Sequence, residues 1–258
     1  MITIIDHGPI RELRLNRPPA NALTSELFSE LRHVVESAPS QNIRALVLSG
    51  SRGMFSAGLD IPHLLKLDRR QITTLWKELY AGFGSLACST IPICAAITGH
   101  APAGGTVLGV FCDWRIAAEG PFKIGLSEVQ VGLPLPPVIL HALRRLLGAH
   151  IAERLAVTGA LMSPQEAAHI GLIDEVVPTD QVGVRAIAWG EAILALPHGA
   201  MSFTRTRARA DLASLFERDL TSEIDEMQEA WWKAETQAKL NAVAERLAKK
   251  TRDGSAFD

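Results

Sequence analysis

Short apolar runs alternate with segments of helical period through most of the chain, and this alternation most constrains the fold. The runs at 44–49 (RALVLS) and 93–98 (ICAAIT) are typical of buried strands, and a helix is predicted over 68–87 between them. Such a pattern indicates an α/β core. From Thr179 onward the pattern is helical and ends in one long predicted helix over 220–250. We therefore expect an α/β core domain over 1–195 and a helical C-terminal region over 196–258.

Composition excludes several classes of partner. With 47% hydrophobic and 21% charged residues, the chain is expected to be a soluble globular protein. Its net charge of -2 gives no broad positive field, so neither nucleic acid nor a membrane surface is an expected partner. Three cysteines, Cys88, Cys94 and Cys112, form no CxxC pair and predict neither a disulfide framework nor a metal site. No signal peptide is recognisable, which favours a cytoplasmic location.

Two glycine-containing loops follow the buried strands and are candidates for a binding site. They are GSRGMFSAGLDIPHLL after RALVLS and GHAPAGGT after ICAAIT. Glycines at Gly58, Gly104 and Gly105 would let a backbone N–H from each loop point into a cavity, and two such groups form an oxyanion hole. The alternative is that these glycines only permit tight turns and close packing. The chain contains no GxxxxGK[ST], GxSxG or HExxH motif, which argues against nucleotide phosphate binding, a serine hydrolase and a zinc protease.

A single carboxylate stands in a nearly uncharged stretch, FKIGLSEVQVGLPLPP. If Glu128 is removed from water there, its pKa rises and it can exchange protons near neutral pH. A solvent-facing glutamate at the start of a helix is the equally open alternative.

Three segments together carry a family resemblance: FSAGLDI, HAPAGGTVLG and IGLSEVQVGL. In these segments the sequence resembles the crotonase (enoyl-CoA hydratase/isomerase) superfamily. The resemblance covers nearly the whole chain, from LNRPPANAL near the start through GLIDEVVP to the C-terminal helices. The resemblance implies a spiral of ββα units with a helical C-terminal trimerisation region, and hence a homotrimer or hexamer. It also implies an acyl-CoA thioester substrate whose carbonyl oxygen is held by the backbone amides of Leu59 and Gly104. No cofactor is implied, since coenzyme A is part of the substrate.

Two departures from the hydratase pattern decide which reaction the resemblance implies. Hydratases of the superfamily carry a glutamate where this chain has Val107, and they continue with PGxGG where this chain reads GLPLPPV. Only Glu128 remains as a proton carrier. The set AGLD, PAGG and GLxExQ most resembles the mitochondrial-type delta(3),delta(2)-enoyl-CoA isomerases, and implies transfer of a double bond from the 3- to the 2-position in fatty-acid β-oxidation.

Further residues are assigned roles by the same resemblance. Ala57, Gly58, Asp60, Ile61 and Gly105 would line the thioester and pantetheine end of the substrate, with Asp60 fixing the loop. Lys239 resembles a family position near the nucleotide end of coenzyme A.

Two alternatives remain open. A hydratase or another enolate-forming enzyme would need a second proton carrier, for which Asp60 and His100 are the candidates. A non-catalytic scaffold that binds acyl-CoA or RNA is the alternative from another class. For the arginines at 205, 207 and 209 we expect a solvated helix face or a subunit contact, and for Trp231 and Trp232 a packing role.

Overall fold

Nine strands form two sheets in residues 1–252, the part of the chain that the computed structural model describes. In chain order they are β1 (Ile2–His7), β2 (Ile10–Leu15), β3 (Ala45–Ser49), β4 (Gly53–Met54), β5 (Ile93–Ile97), β6 (Gly99–Pro102), β7 (Trp114–Ala118), β8 (Ile124–Gly125) and β9 (Glu175–Val177). The larger sheet has the order β1-β2-β3-β5-β7-β9, and all its pairs are parallel except the hairpin β1–β2. The smaller sheet is parallel, with the order β4-β6-β8.

Helices connect the strands and then continue alone. They are α1 (Ser25–Ser37), α2 (Ile61–Leu64), α3 (Arg69–Ala87), α4 (Gly104–Val110), α5 (Pro137–Thr158), α6 (Pro164–His169), α7 (Val182–Leu194), α8 (His198–Ala208), α9 (Ala210–Glu217), α10 (Thr221–Trp231) and α11 (Ala234–Arg252). Three times a strand of the larger sheet is followed by a strand of the smaller sheet and then by helix: β3-β4-α2, β5-β6-α4 and β7-β8-α5. These repeats confirm the predicted spiral of ββα units and the crotonase-like α/β fold.

The core lies on both faces of the larger sheet because side chains alternate along each strand. On β3, Leu46 and Leu48 belong to the main core, while Ala45 and Val47 face the other side, where Trp189 of α7 packs. All five residues of β3 are buried, as the uninterrupted apolar run predicts.

Local capping fixes where several helices begin. Asp68 and Gln71 form a capping box at the start of α3, and Ser163 and Glu166 form another at the start of α6. Helix α5 runs from Pro137 to Thr158 through a kink at Gly148, where φ is 72°. A residue with that φ is not helical, so the chain changes direction there.

The single helix predicted over 220–250 is wrong, because α10 ends at Trp231 and α11 begins at Ala234. Trp231 is buried and packs edge-on against Trp76 of α3, with ring centroids 6.0 Å apart. Helix α10 packs on α3, whereas α11 packs on α2 and on the turn 128–131, so one straight helix could not make both contacts. Trp231 has the packing role predicted for it.

The expectation of a solvated helix face is wrong for Arg205 of α8 and for Arg209, which lies between α8 and α9. Both pair with Asp113, at 2.9 and 3.2 Å, and the three side chains are only 9%, 12% and 16% exposed. Asp113 also accepts a hydrogen bond of 2.8 Å from the Ile93 N–H. The cluster fastens α8 and α9 to the core of the same chain. Arg207 is exposed and lies over the Phe203 ring.

The predicted division at residue 195 falls between α7 and α8, but the existence of two domains stays a prediction. The last six residues of the predicted C-terminal region, 253–258, lie outside the described residues. Over 1–252, no helix has both the length and the apolar character needed to cross a membrane.

Substituting Asp113 by alanine should destabilise the protein strongly, because two nearly buried guanidinium groups would lose their counter-ion. Breaking one partner of a buried pair costs about 3–5 kcal/mol in the free energy of unfolding. Urea unfolding of Asp113→Ala measures this loss. Glu229→Ala removes an exposed ion pair with Arg69 and should leave the urea midpoint unchanged. Equal midpoints for both variants would contradict the assigned role of Asp113.

Candidate active site

The three short strands of the smaller sheet lead directly into the three segments that carry the predicted site residues. Strand β4 runs into 55–60, β6 into 103–105 and β8 into 126–128. Because the strands are parallel and adjacent, their carboxyl ends meet at one edge of the sheet. The topology therefore brings together groups that are far apart in sequence.

The first segment presents the N–H of Leu59. Its neighbours are engaged: the Gly58 carbonyl accepts a hydrogen bond of 2.8 Å from the Leu23 N–H, and the Asp60 N–H donates to the Leu23 carbonyl at 3.1 Å. The Leu59 N–H donates to no group among the described residues. It is free to bind an oxygen.

Asn21 holds this segment in place, a role that the sequence patterns did not predict. Its side-chain amide donates to the carbonyls of Met54 and Phe55 at 3.2 and 3.1 Å. The Ser56 hydroxyl donates to the Asn21 carbonyl at 2.8 Å and accepts from the Gly58 N–H at 3.2 Å. Asn21 is 1% exposed and has a φ of 49°. The only signal in the sequence was its place in LNRPPANAL.

The second segment presents the N–H of Gly104, the first residue of α4, where no intrahelical acceptor exists. Like that of Leu59, it donates to none of the described groups. Ala103 precedes it with a φ of 50° and a ψ of -123°, a region that side chains rarely adopt, and its own N–H donates to the Gly125 carbonyl at 2.8 Å. The strained residue turns the chain abruptly from β6 into α4.

The two glycine segments touch each other. A Cβ placed on Gly58 would lie 3.2 Å from the Gly104 nitrogen, and one placed on Gly105 would lie 2.4 Å from the Ser56 carbonyl oxygen. Side chains at these positions would push the segments apart. The two free N–H groups are thus carried by loops in direct contact, as an oxyanion hole requires.

Glu128 begins a short 3-10 turn over Glu128–Val131, three residues beyond β8. Part of the residue reaches the surface, but its Oε2 is buried and hydrogen bonds with no described group. Burial raises the pKa of Glu128 from 4.5 to about 7. A carboxylate in this state exchanges protons readily at neutral pH.

The remaining predicted residues surround these groups or lie at a distance. Ala57 and Ile61 are partly exposed at either end of the first loop. Asp60 caps α2 by accepting from the His63 N–H at 3.1 Å and pairs with Arg17 at 2.5 Å. These contacts give its carboxylate a structural task in the loop. Lys239 is exposed on α11, the helix that packs against α2.

His100, the alternative proton carrier, accepts a hydrogen bond through Nδ1 from the Lys123 N–H at 3.1 Å. Burial, with a smaller contribution from the charge of Lys123, lowers its pKa. The three cysteines are free thiols. Within the described ranges no group of three or more His, Cys, Asp and Glu side chains could hold a metal ion.

Two N–H donors and one desolvated carboxylate are the groups needed to form and stabilise an enolate. The donors stabilise negative charge on a carbonyl oxygen, which makes the protons on the adjacent carbon acidic. The carboxylate can remove such a proton and return it elsewhere. Val107, in the first turn of α4, is 1% exposed and contributes no proton.

Comparison with known proteins gives a consistent assignment. The sequence model of the enoyl-CoA hydratase/isomerase family matches residues 7–253. The chain is 31% identical to the human mitochondrial enoyl-CoA delta isomerase 1, over 91% of this chain and 79% of that protein. It is 33% identical to a probable enoyl-CoA hydratase of Mycobacterium avium, over 80% and 78% of the two chains. The solved structure of human mitochondrial delta3-delta2-enoyl-CoA isomerase superposes with a TM-score of 0.91 at 29% identity, covering 96% of this chain and 98% of that one.

The raised pKa of Glu128 predicts a stability effect that requires no substrate. Because the folded protein holds this proton more tightly than the unfolded chain, its stability falls as pH rises from 4.5 to about 7. One pKa unit corresponds to about 1.4 kcal/mol, so the loss is about 3 kcal/mol. Glu128→Gln removes the ionisable group and with it this pH-dependent loss of stability. Urea unfolding should therefore show that the variant is more stable than the wild type at pH 8 but not at pH 4. The exposed Glu36→Gln is the control, and a pH-independent difference for Glu128→Gln would contradict the burial of a charge there.

Proposed function

Because this chain belongs to the enoyl-CoA hydratase/isomerase family, we propose that it is an enoyl-CoA isomerase that moves the double bond of a 3-enoyl-CoA to the 2-position in fatty-acid β-oxidation. The observation that carries this proposal is the desolvated carboxylate of Glu128, which follows β8 at the same sheet edge where β4 and β6 lead to the two free N–H donors, with the apolar Val107 in the first turn of α4. One proton carrier suffices for an isomerisation, whereas hydration requires a water molecule to be activated as well.

In the proposed reaction Glu128 removes a proton from C2 of the 3-enoyl thioester. The electron pair of that C–H bond delocalises through the C3–C4 double bond and the carbonyl, giving a dienolate whose oxygen accepts hydrogen bonds from Leu59 and Gly104. Glu128, now protonated, returns the proton to C4. The C2–C3 double bond forms, and the conjugated 2-enoyl thioester leaves with no net change in protons.

The substrate-binding residues keep the roles that the resemblance gave them, as part of this proposal. Ala57, Gly58, Asp60 and Ile61 lie along the first loop, and Gly105 lies beside Ser56 at the contact of the two loops. We assign the thioester and pantetheine end of the substrate to them. Lys239 is assigned to the phosphates of coenzyme A because it is an exposed cation on the helix that packs against α2. No further cofactor is required, since the thioester itself activates C2.

We also propose that the protein acts in the cytoplasm as a homotrimer or hexamer. The helical C-terminal region exposes Phe203 of α8, at 59%, and Leu196, between α7 and α8, at 49%. This proposal follows the superfamily resemblance, and these exposed apolar side chains are available for a contact with another subunit.

An enoyl-CoA hydratase is the second candidate, and the similarity to the Mycobacterium avium protein favours it. Hydration of a 2-enoyl-CoA would need a group that activates water in addition to Glu128. Asp60 is engaged with Arg17 and the start of α2, which leaves His100 as the remaining candidate for that group.

A direct comparison of the two reactions tests the proposal. The purified protein should convert a 3-enoyl-CoA to the 2-enoyl form, which is measured by the absorbance of the conjugated thioester. Given a 2-enoyl-CoA, it should form little 3-hydroxyacyl-CoA. Rapid hydration without isomerisation would show that the protein is a hydratase. If the protein catalyses neither reaction, a non-catalytic scaffold that binds acyl-CoA becomes the better account.

Substituting Glu128 by glutamine should lower kcat by about 10²–10⁴-fold, the usual effect of removing a general base. In the wild type, kcat/KM should rise with pH through about 7, because only the ionised carboxylate accepts the C2 proton. The pH profile of 3-enoyl-CoA turnover measures both effects. Glu36→Gln, which changes an exposed carboxylate of α1, should match the wild type. Full activity in Glu128→Gln would contradict the role of Glu128 as the base.

A further inference from the structure

Thr106 occupies an unusual place between the two halves of the site. It is 3% exposed and lies in the first turn of α4, two residues after Gly104.

The Thr106 hydroxyl joins α4 to both neighbouring strands. It donates to the Ala101 carbonyl of β6 and accepts a hydrogen bond of 2.8 Å from the Gly125 N–H of β8. In a regular parallel ladder with Ala101 opposite Ile124, the Gly125 N–H points towards the Ala101 carbonyl. Here one hydroxyl hydrogen bonds with both groups and ties them to the helix.

Strand β8 is also fixed along its other edge. Ile124 and Met162 exchange backbone hydrogen bonds of 3.0 and 2.9 Å, and a Cβ on Gly125 would lie 2.3 Å from the Ala160 carbonyl oxygen. The strand that leads to Glu128 therefore has little freedom to move. The Ala103 N–H also donates to the Gly125 carbonyl at 2.8 Å, so loss of the Thr106 link would leave the start of α4 attached to β8 through that backbone hydrogen bond without the side-chain one.

We infer that the Thr106 hydroxyl is a positioning group that sets the oxyanion donor Gly104 relative to the base Glu128. This inference rests on the proposed isomerase function. Helix α4 supplies the N–H and β8 leads to the carboxylate, and Thr106 is the side chain that bonds across them at their junction. A displacement of about 1 Å in such a site can cost about 10²-fold in rate.

Three variants test this role. Thr106→Val keeps the shape and removes the hydroxyl, Thr106→Ser keeps the hydroxyl, and Thr158→Val removes an exposed hydroxyl that donates only to the Arg154 carbonyl. For turnover of 3-enoyl-CoA, Thr106→Val should lower kcat by about 10- to 100-fold with KM within about threefold of the wild type. Thr106→Ser and Thr158→Val should keep kcat within about threefold.

The outcomes separate this inference from the proposed function. An inactive wild type overturns the function, whereas an active wild type with an equally active Thr106→Val overturns the inference alone. Loss of activity in Thr106→Ser as large as in Thr106→Val also overturns it, because packing rather than the hydroxyl would then be responsible. If circular dichroism shows that Thr106→Val does not fold, kcat of Thr106→Ala against Thr106→Ser gives the same comparison.

Discussion

The absence of a hydrogen-bond partner for the buried Oε2 of Glu128 is the constraint on which the functional account depends. Among residues 1–252, no group hydrogen bonds with that oxygen, and burial outweighs the opposing effect of a hydrogen bond from the residue's own backbone, which raises the pKa of the carboxyl to about 7. A paired carboxylate at the same place would be a weaker base and a more stable part of the fold.

The smaller sheet determines where the two N–H donors and the Glu128 carboxyl lie. Its strands are only two to four residues long, yet each follows a buried strand of the larger sheet and delivers one functional segment. Close packing makes the arrangement possible: a Cβ on Gly99 would lie 2.0 Å from the Gly53 carbonyl carbon, so β4 and β6 can approach only without a side chain there. Asn21 and Thr106 then fasten the loops from either side.

The apolar runs were sufficient to predict the α/β core, and the glycine loops were sufficient to predict where a site would lie. The assignment of Leu59 and Gly104 as donors and of Glu128 as the proton carrier came from the superfamily resemblance and stays a prediction. The periodicity could not show the break after Trp231, because helical spacing on both sides of it is the same and only packing against Trp76 decides the direction. Nor could it show that Arg205 and Arg209 are buried, since their counter-ion Asp113 is about a hundred residues away. Asn21 and Thr106 were missed for a similar reason, because their roles consist of hydrogen bonds to backbone groups of distant strands.

The most direct test of the account is the titration of the Glu128 carboxyl itself in the folded protein. Carbon-13 labelling of glutamate and comparison of NMR spectra of the wild type with those of Glu128→Gln would isolate its signal across the pH range. We predict an inflection near pH 7. An inflection near pH 4.5 would show a hydrated or paired carboxylate and would contradict the account.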